Sequence, residues 1–429
     1  MSETLTSIRD LRIELAPIKT LKPYDQNART HSKKQIKQIA ISILKFGWTN
    51  PLLEDGEGGV IAGHGRLEAA RNLGIKEVPV VRINDLTDTQ KRAYILADNK
   101  LAENAGWDAD LLKIELTALD HLDLDFQLED LGFETGELDL ILADGGHGSK
   151  AESVPEVSNG PTVTRLGDIW HLGRHRLICG DALKPETYQA LLGDALVDAV
   201  FTDPPYNVPI SGHVCGLGSV QHDEFVMASG EMSEAEFRDF LETAITRAGD
   251  VTKPGGIGYF CMDWRHVEDV IAAGKLCFGD LLNLCVWNKN VGGMGSFYRS
   301  KHELIPVFKR AGAPHRNNIQ LGKHGRNRTN VWDYPSVVTR RDDLKLHPTV
   351  KPVAMVADAI KDVTRRGETV LDPFAGSGTT LLAAEQTGRR AVCIELDARY
   401  VDVIIRRFEK ETGQIATLGP NGLAFALLS

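Results

Sequence analysis

The stretch ETVLDPFAGSGTTLLAAEQTGRRAVCIE, residues 368–395, decides the fold. ETVLD is a short apolar run of strand type, TTLLAAEQTG a helix, and RAVCIE a second strand closing on Glu395. Strand, glycine turn, helix and strand in that order form a βαβ unit, which builds parallel sheet. Gly376 and Gly378 allow backbone to approach a ligand closely. The helix start offers free N–H groups. No lysine follows the second glycine, so this is not the phosphate loop of an ATPase. A carboxylate ending the second strand, Glu395, is placed to bind ribose hydroxyls.

Working outward, residues 162–412 continue the alternation. Apolar runs at 197–202, 256–261, 281–287, 304–308, 369–371 and 391–394 read as strands of a buried sheet. Helical stretches at 233–248, 352–365, 379–386 and 399–409 separate several of them. The expected class is α/β, with a doubly wound parallel sheet. The strand at 197–202 runs into Asp203-Pro204-Pro205-Tyr206. Two prolines fix the backbone, so the Asp203 carboxylate and the Pro204 carbonyl point in set directions. Two fixed acceptors can grip the two N–H groups of an exocyclic amine, and a tyrosine face beside them can stack on a flat base. A plain proline turn is the bland alternative, and the flanking Asp and Tyr argue against it.

Residues 1–100 read as a smaller α/β unit. A helix at 33–45 ends at Gly47, a second at 66–73 ends at Gly74, and short strands lie near Leu52, Val60 and Val78. Residues 101–161 read as a connector whose first part is helical and whose 144–161 stretch, rich in Gly, Ser and Pro, is a linker. The apolar tail LGPNGLAFALLS fits either a cap on the core or a contact with a partner.

Composition bounds the rest. The 429 residues are 42% hydrophobic and 25% charged, as in an ordinary globular chain. No run of about 18 apolar residues predicts a membrane span. The first 20 residues lack a basic start and apolar core, so no secretory signal is expected. The six cysteines form no CxxC pair, which argues against a zinc site and fits a reducing cytoplasm. The net charge of −10 hides two opposed blocks: 14 acidic against two basic residues over 103–152, and ten basic against two acidic over 299–341. Phosphates are repelled by the first and attracted by the second.

These motifs together resemble those of S-adenosylmethionine-dependent DNA amino-methyltransferases. DPPY is similar to the family's catalytic motif and DPFAGSGTT to its cofactor loop. Their order resembles the circularly permuted beta group, and the likeness covers residues 162–412. Asp181 in LICGDAL and HPTVKP, with Lys351, are similar to further cofactor-side segments. The resemblance implies a Rossmann-like methyltransferase sheet at 162–429 and a cofactor site of Asp181, Lys351, Asp372, Phe374, Gly376, Ser377, Gly378, Thr379 and Glu395. It also implies that Asp203, Pro204, Pro205 and Tyr206 hold a flipped base while its amine attacks the methyl group directly. Neither a metal nor a covalent nucleophile is implied, and the chain has no Pro-Cys dipeptide of the cytosine C5 enzymes. Within the family an opening Asp favours adenine N6, with cytosine N4 as the alternative. The basic segment matches the position of the target-recognition region, about 290–345. There Arg299, Lys301, Arg316, Lys323, Arg326 and Arg328 are candidate contacts to double-stranded DNA. The glycine-rich stretch from Asn207 to Gly230 is a candidate lid over the base. Dimers are common in the group, and a homodimer is an expectation here.

GGVIAGHGRLEAARNLGIKEVPVV, residues 58–81, is similar to the α+β ParB/sulfiredoxin-like N-terminal domain. Gly63-His64-Gly65-Arg66 stands where nucleotide-binding members carry paired arginines, and no cysteine supports sulfiredoxin activity. The resemblance implies an accessory domain that handles DNA or contacts protein, fused as in phage and mobile-element proteins, in restriction-modification settings. It places the protein in the cytoplasm of a bacterial or phage-infected cell, at the nucleoid. A competing reading is a ParB-like partition protein with a secondary methyltransferase half. It requires a helix-turn-helix reader after residue 100, where an acidic connector is expected instead.

Overall fold

The computed structural model describes residues 11–120, 122, 124–143, 155, 157, 160–207, 230–289, 292, 298–321, 327–335, 350–419 and 422–428. The chain divides into two units, Met1–Leu142 and Ala143–Ser429.

The first unit is a four-stranded sheet with helices. In chain order its elements are β1 (Ile13–Pro17), α1 (Lys33–Phe46), β2 (Leu52–Glu54), β3 (Val60–Ala62), α2 (His64–Asn72), β4 (Glu77–Arg82), α3 (Asp88–Glu103), α4 (Ala109–Asp120) and α5 (Thr135–Ile141). The strand order is β1-β4-β2-β3, with only β2 and β4 parallel. Ser32 caps α1 by accepting from the Gln35 N–H (3.1 Å). Gly63 opens α2 in the left-handed region (φ 95°), and a Cβ there would lie 2.5 Å from Leu52 Cδ2. Leu52, Val60, Leu67, Val78 and Val80 form the core beneath it. A separate small core of Leu116, Leu128 and Leu138 joins α4 to α5, so the first part of the expected connector is folded.

The second unit is an eleven-stranded sheet covered on both faces. Its elements are β5 (Ile169–Leu172), β6 (His175–Cys179), α6 (Pro185–Leu192), β7 (Val197–Thr202), α7 (Glu234–Asp250), β8 (Thr252–Phe260), α8 (Val267–Cys277), β9 (Gly279–Asn288), β10 (His302–Arg310), β11 (Val331–Asp333), α9 (Val353–Val363), β12 (Thr369–Asp372), α10 (Thr379–Gln386), β13 (Arg390–Glu395), α11 (Ala398–Thr412), β14 (Ala416–Leu418) and β15 (Leu423–Ala424). The order is β11-β9-β10-β8-β7-β12-β13-β6-β5-β14-β15. The central five, β8-β7-β12-β13-β6, are parallel. Alternation along β13 shows both faces buried: Ala391 and Cys393 face one core, Val392 and Ile394 the other.

The sheet is thus Rossmann-like and doubly wound at its centre, and mixed at its flanks. β9 and β10 pair antiparallel beside β8, and β5 and β14 are antiparallel on the far side. Apolar runs alone do not report direction, because an antiparallel strand buried on both faces reads the same way. The tail resolves as a cap on the core. β14 pairs with β5, and Phe425 packs edge-on against Trp170 at 5.3 Å, both buried. The lid stretch 208–229 and most of the linker 144–161 lie outside the described residues.

The reversal of strand order falls between β7 and β12. From β7 the chain passes through α7 to β8 on one side, and from β12 through α10 to β13 on the other. A crevice opens at the carboxyl ends of strands at such a point.

Phe425→Ala removes a buried ring from the tail and should destabilise the second unit by about 3 kcal/mol. A lower urea midpoint for that unit's transition, with cofactor-loop residues unchanged, is the expected result.

Candidate active site

Asp372 closes β12 at the crevice. Its carboxylate accepts from Thr202 Oγ1 (2.8 Å) at the end of β7, from Thr380 Oγ1 (2.6 Å) at the start of α10, and from the Phe374 N–H (3.1 Å). One buried side chain therefore fixes two strand ends and the glycine loop together. Burial raises its pKa to about 6, held from rising further by the two threonine hydroxyls.

The loop is also held from behind. Arg407 of α11, buried, donates to the Ser377 carbonyl (3.0 Å). Gly376 N–H donates to Glu395 Oε2 (2.8 Å) and Asp397 N–H to Glu395 Oε1 (3.0 Å). Burial pushes the Glu395 carboxyl up to about 7 despite those bonds. Gly378 takes a left-handed conformation (φ 80°), and a Cβ there would lie 2.9 Å from Ile404 Cγ2.

One cavity runs between these residues and the DPPY turn. Its lining includes Asp181, Asp203, Pro204, Pro205, Tyr206, Lys351, Asp372, Phe374, Gly376, Ser377, Thr379 and Glu395. The structure brings the candidate catalytic and cofactor residues together: all but Gly378 are among the lining residues of this one cavity. Phe374 and Phe240 face each other at 5.8 Å and supply an apolar side.

At the DPPY end the polar groups form a closed set. Tyr206 O–H donates to Asp203 Oδ1 (2.6 Å). Lys351 Nζ donates to Asp203 Oδ2 and pairs with Glu303 Oε2 (3.0 Å), and Lys289 Nζ pairs with Glu303 Oε1 (2.5 Å). Two carboxylates thus face two ammoniums. Burial drives the Asp203 carboxyl up, opposed by Lys351. Burial acts the same way on Glu303, but Lys351 and Lys289 outweigh it and hold that carboxyl at about 2. For Lys351, burial opposes the charge and the two carboxylates overcome it, so its pKa is raised. The ammonium expected beside the cofactor thus lines the cavity but turns to Asp203 and Glu303.

Glu303 and Lys289 were not foreseen. The one signal for Glu303 is its place as one of two acids inside a strongly basic segment. It sits beside Trp287 in the β9–β10 register, and that pairing is not visible along the chain.

Of the candidate DNA contacts, Lys301 and Arg299 are exposed on the approach to β10. Arg316 pairs with Glu368 (3.0 Å). Arg328 requires correction: its guanidinium is turned inward, on Asp362 (3.0 Å) and the Tyr334 hydroxyl (2.9 Å), over the Trp332 ring. It pins β11 to α9, because a buried guanidinium needs carboxylate partners. Lys323 and Arg326 lie outside the described residues.

Three family models match the chain. Residues 197–406 match the DNA methylase family (N6_N4_Mtase), residues 3–100 the ParB N-terminal domain, and residues 110–166 the ParB-methyltransferase HTH domain. The last match corrects the expectation of a plain acidic connector without a helix-turn-helix. Over 82 residues the chain is 51% identical to the ParB-like nuclease domain-containing protein YnaK of Escherichia coli, covering 19% of this chain and 94% of that one. Over 238 residues it is 27% identical to the DNA adenine methyltransferase YhdJ of E. coli, covering 50% and 76%. Among solved structures, the M1.HpyAVI–SAM complex aligns at 21% identity and a TM-score of 0.40, covering 54% of this chain and 97% of that one. Among the described residues no cluster of His, Cys, Asp and Glu is arranged to hold a metal, and no helix is long and apolar enough to cross a membrane.

Glu303 carries a checkable pH signature. Its folded pKa is depressed from 4.5 to about 2, so its stabilisation is complete above 4.5 and is lost as pH falls through that interval. Replacing it in Glu303→Gln should flatten the fall of melting temperature between pH 4.5 and 2, read by circular dichroism.

Proposed function

We propose that this chain, whose residues 197–406 match the DNA methylase family and residues 3–100 the ParB N-terminal domain, methylates adenine N6 at specific sites in duplex DNA, using S-adenosylmethionine. The carrying observation is that the DPPY turn and the glycine loop share one cavity, tied across the sheet's reversal by Asp372.

The donor set fits that cofactor. Asp181, Asp372, Glu395 and Asp397 line the cavity, and the one cation among its described lining residues, Lys351, is neutralised by Asp203 and Glu303. Such a lining suits a ligand bearing hydroxyls and positive charge, and would repel a polyphosphate. Phe374 and Phe240 offer a wall for a purine. When bound, the cofactor supplies a methyl group already activated by its sulfonium.

The protein's part is then positioning, which can supply much of the acceleration. The Asp203 carboxylate and the Pro204 carbonyl accept the two N–H groups of the target amine. Tyr206 holds Asp203 Oδ1 and presents its ring to the base. Lys351, paired with Asp203, opposes the upward pull that burial exerts on its carboxyl. As the amine nitrogen becomes cationic, Asp203 stabilises the new charge. The opening Asp and the likeness to an adenine methyltransferase both support N6 over cytosine N4.

The test uses tritiated S-adenosylmethionine with unmethylated genomic DNA, followed by nucleoside mass spectrometry. Label is expected in N6-methyladenine, and Asp203→Ala should reduce the rate by about 100-fold or more, as for loss of a preorganised electrostatic group. Label in N4-methylcytosine would keep the mechanism and change the base. Absence of label would return weight to a partition role led by the ParB-like domain.

A further inference from the structure

The carboxyl edge of the sheet carries a second feature beyond the cavity. β7 and β8 are parallel, with Thr202 opposite Phe260, and the Cys261 N–H donates to the Thr202 carbonyl (2.9 Å). Residues 261–264 therefore leave the sheet alongside Asp203–Tyr206. Met262 bridges to Leu304, next to Glu303, so this exit is anchored at the site. Trp264 follows three residues after Cys261, in the turn 264–266 that leads into α8.

Trp264 is unlike the other tryptophans of this unit. Trp170, Trp287 and Trp332 are at most 6% exposed, whereas Trp264 is 56% exposed. Its ring is nonetheless braced. The Arg265 guanidinium lies 4.9 Å from the ring centroid. Asp263 Oδ2 pairs with Arg265 Nη1 (2.8 Å), and Asp263 Oδ1 accepts from the N–H groups of Arg265 (3.0 Å) and His266 (3.2 Å). His266 in turn packs edge-on against buried Phe237 at 4.7 Å. An indole held in one orientation with an open face gives up little freedom when something stacks on it.

We propose that Trp264, braced by Arg265, is a DNA-stacking residue: its open face takes a nucleobase neighbouring the target, and Arg265 meets the adjoining phosphate. The inference rests on the methylase reading above. Flipping a base leaves its neighbours unstacked, and an aromatic face offsets that loss without regard to sequence. A strand whose target enters at Asp203 passes its next nucleotides across the β8 exit. Exposed Arg299 and Lys301 precede β10, whose Leu304 bridges to Met262, which fits a strand lying along this edge.

Wild type, Trp264→Ala, Trp264→Phe and Arg265→Ala, each as the full chain, would be compared for methyl transfer to unmethylated genomic DNA. Trp264→Ala should raise the KM for DNA about ten-fold or more, from the stacking lost. It should leave the KM for S-adenosylmethionine and the melting curve unchanged, and Trp264→Phe should restore most of the affinity. Arg265→Ala should lower the salt dependence of DNA binding by about one phosphate contact. A wild-type KM for DNA in Trp264→Ala overturns this inference alone. No transfer to DNA by the wild type overturns the methylase reading and this inference with it.

Discussion

The carboxylate of Asp372 is the constraint on which the active unit depends. It sits where the strand order reverses, and it bonds the end of β7, the start of α10 and the first turn of the glycine loop. Without it, the strand end that carries the DPPY turn and the loop that shapes the other half of the cavity would lose their direct side-chain link. Its raised pKa is the consequence of placing an acid in a packed core, and the two threonine hydroxyls keep it an acceptor. Buried Arg407 and half-buried Glu395 repeat the device, each bonding loop backbone.

Around this frame the charges are sorted with a consistent logic. Acids line the cavity, and the cation among its lining residues is paired twice. Basic residues lie along the segment that includes β10 and β11. Some of them are committed inward, as Arg328 and Arg316 show, so a count of cations overstates the surface offered to phosphate. The charge that remains exposed gathers at the approach to β10, on the same sheet edge as the DPPY turn.

How much of this was legible in the sequence follows from which interactions are local. The strand-loop-helix-strand run 368–395 and the DPPY strand are local patterns, and β7 matches its expected span. The direction of β9 and β10 depends on which neighbour each finds, and the apolar run that betrays a buried strand carries no such information. Glu303 is the same case in the site: its partners Lys289 and Lys351 lie 14 and 48 residues away, brought together only by the β9–β10 register and the loop before α9. Lys351 was found from its motif, yet the motif could not tell which way its ammonium turns. Burial between two carboxylates decides that.

The helix-turn-helix match raises a point that helix geometry alone does not settle. Such a unit reads DNA through cations set on its surface, and residues 103–152 carry 14 acids against two bases. Two nearby cations, Lys34 and Lys45 of α1, pair with Glu134 and Asp125 and so neutralise the unit rather than offer themselves to phosphate. A phosphate backbone is therefore attracted less by these acidic helices than by the basic segment of the second unit. A second strong phosphate-binding surface would hold an enzyme that acts at particular sites on DNA away from them.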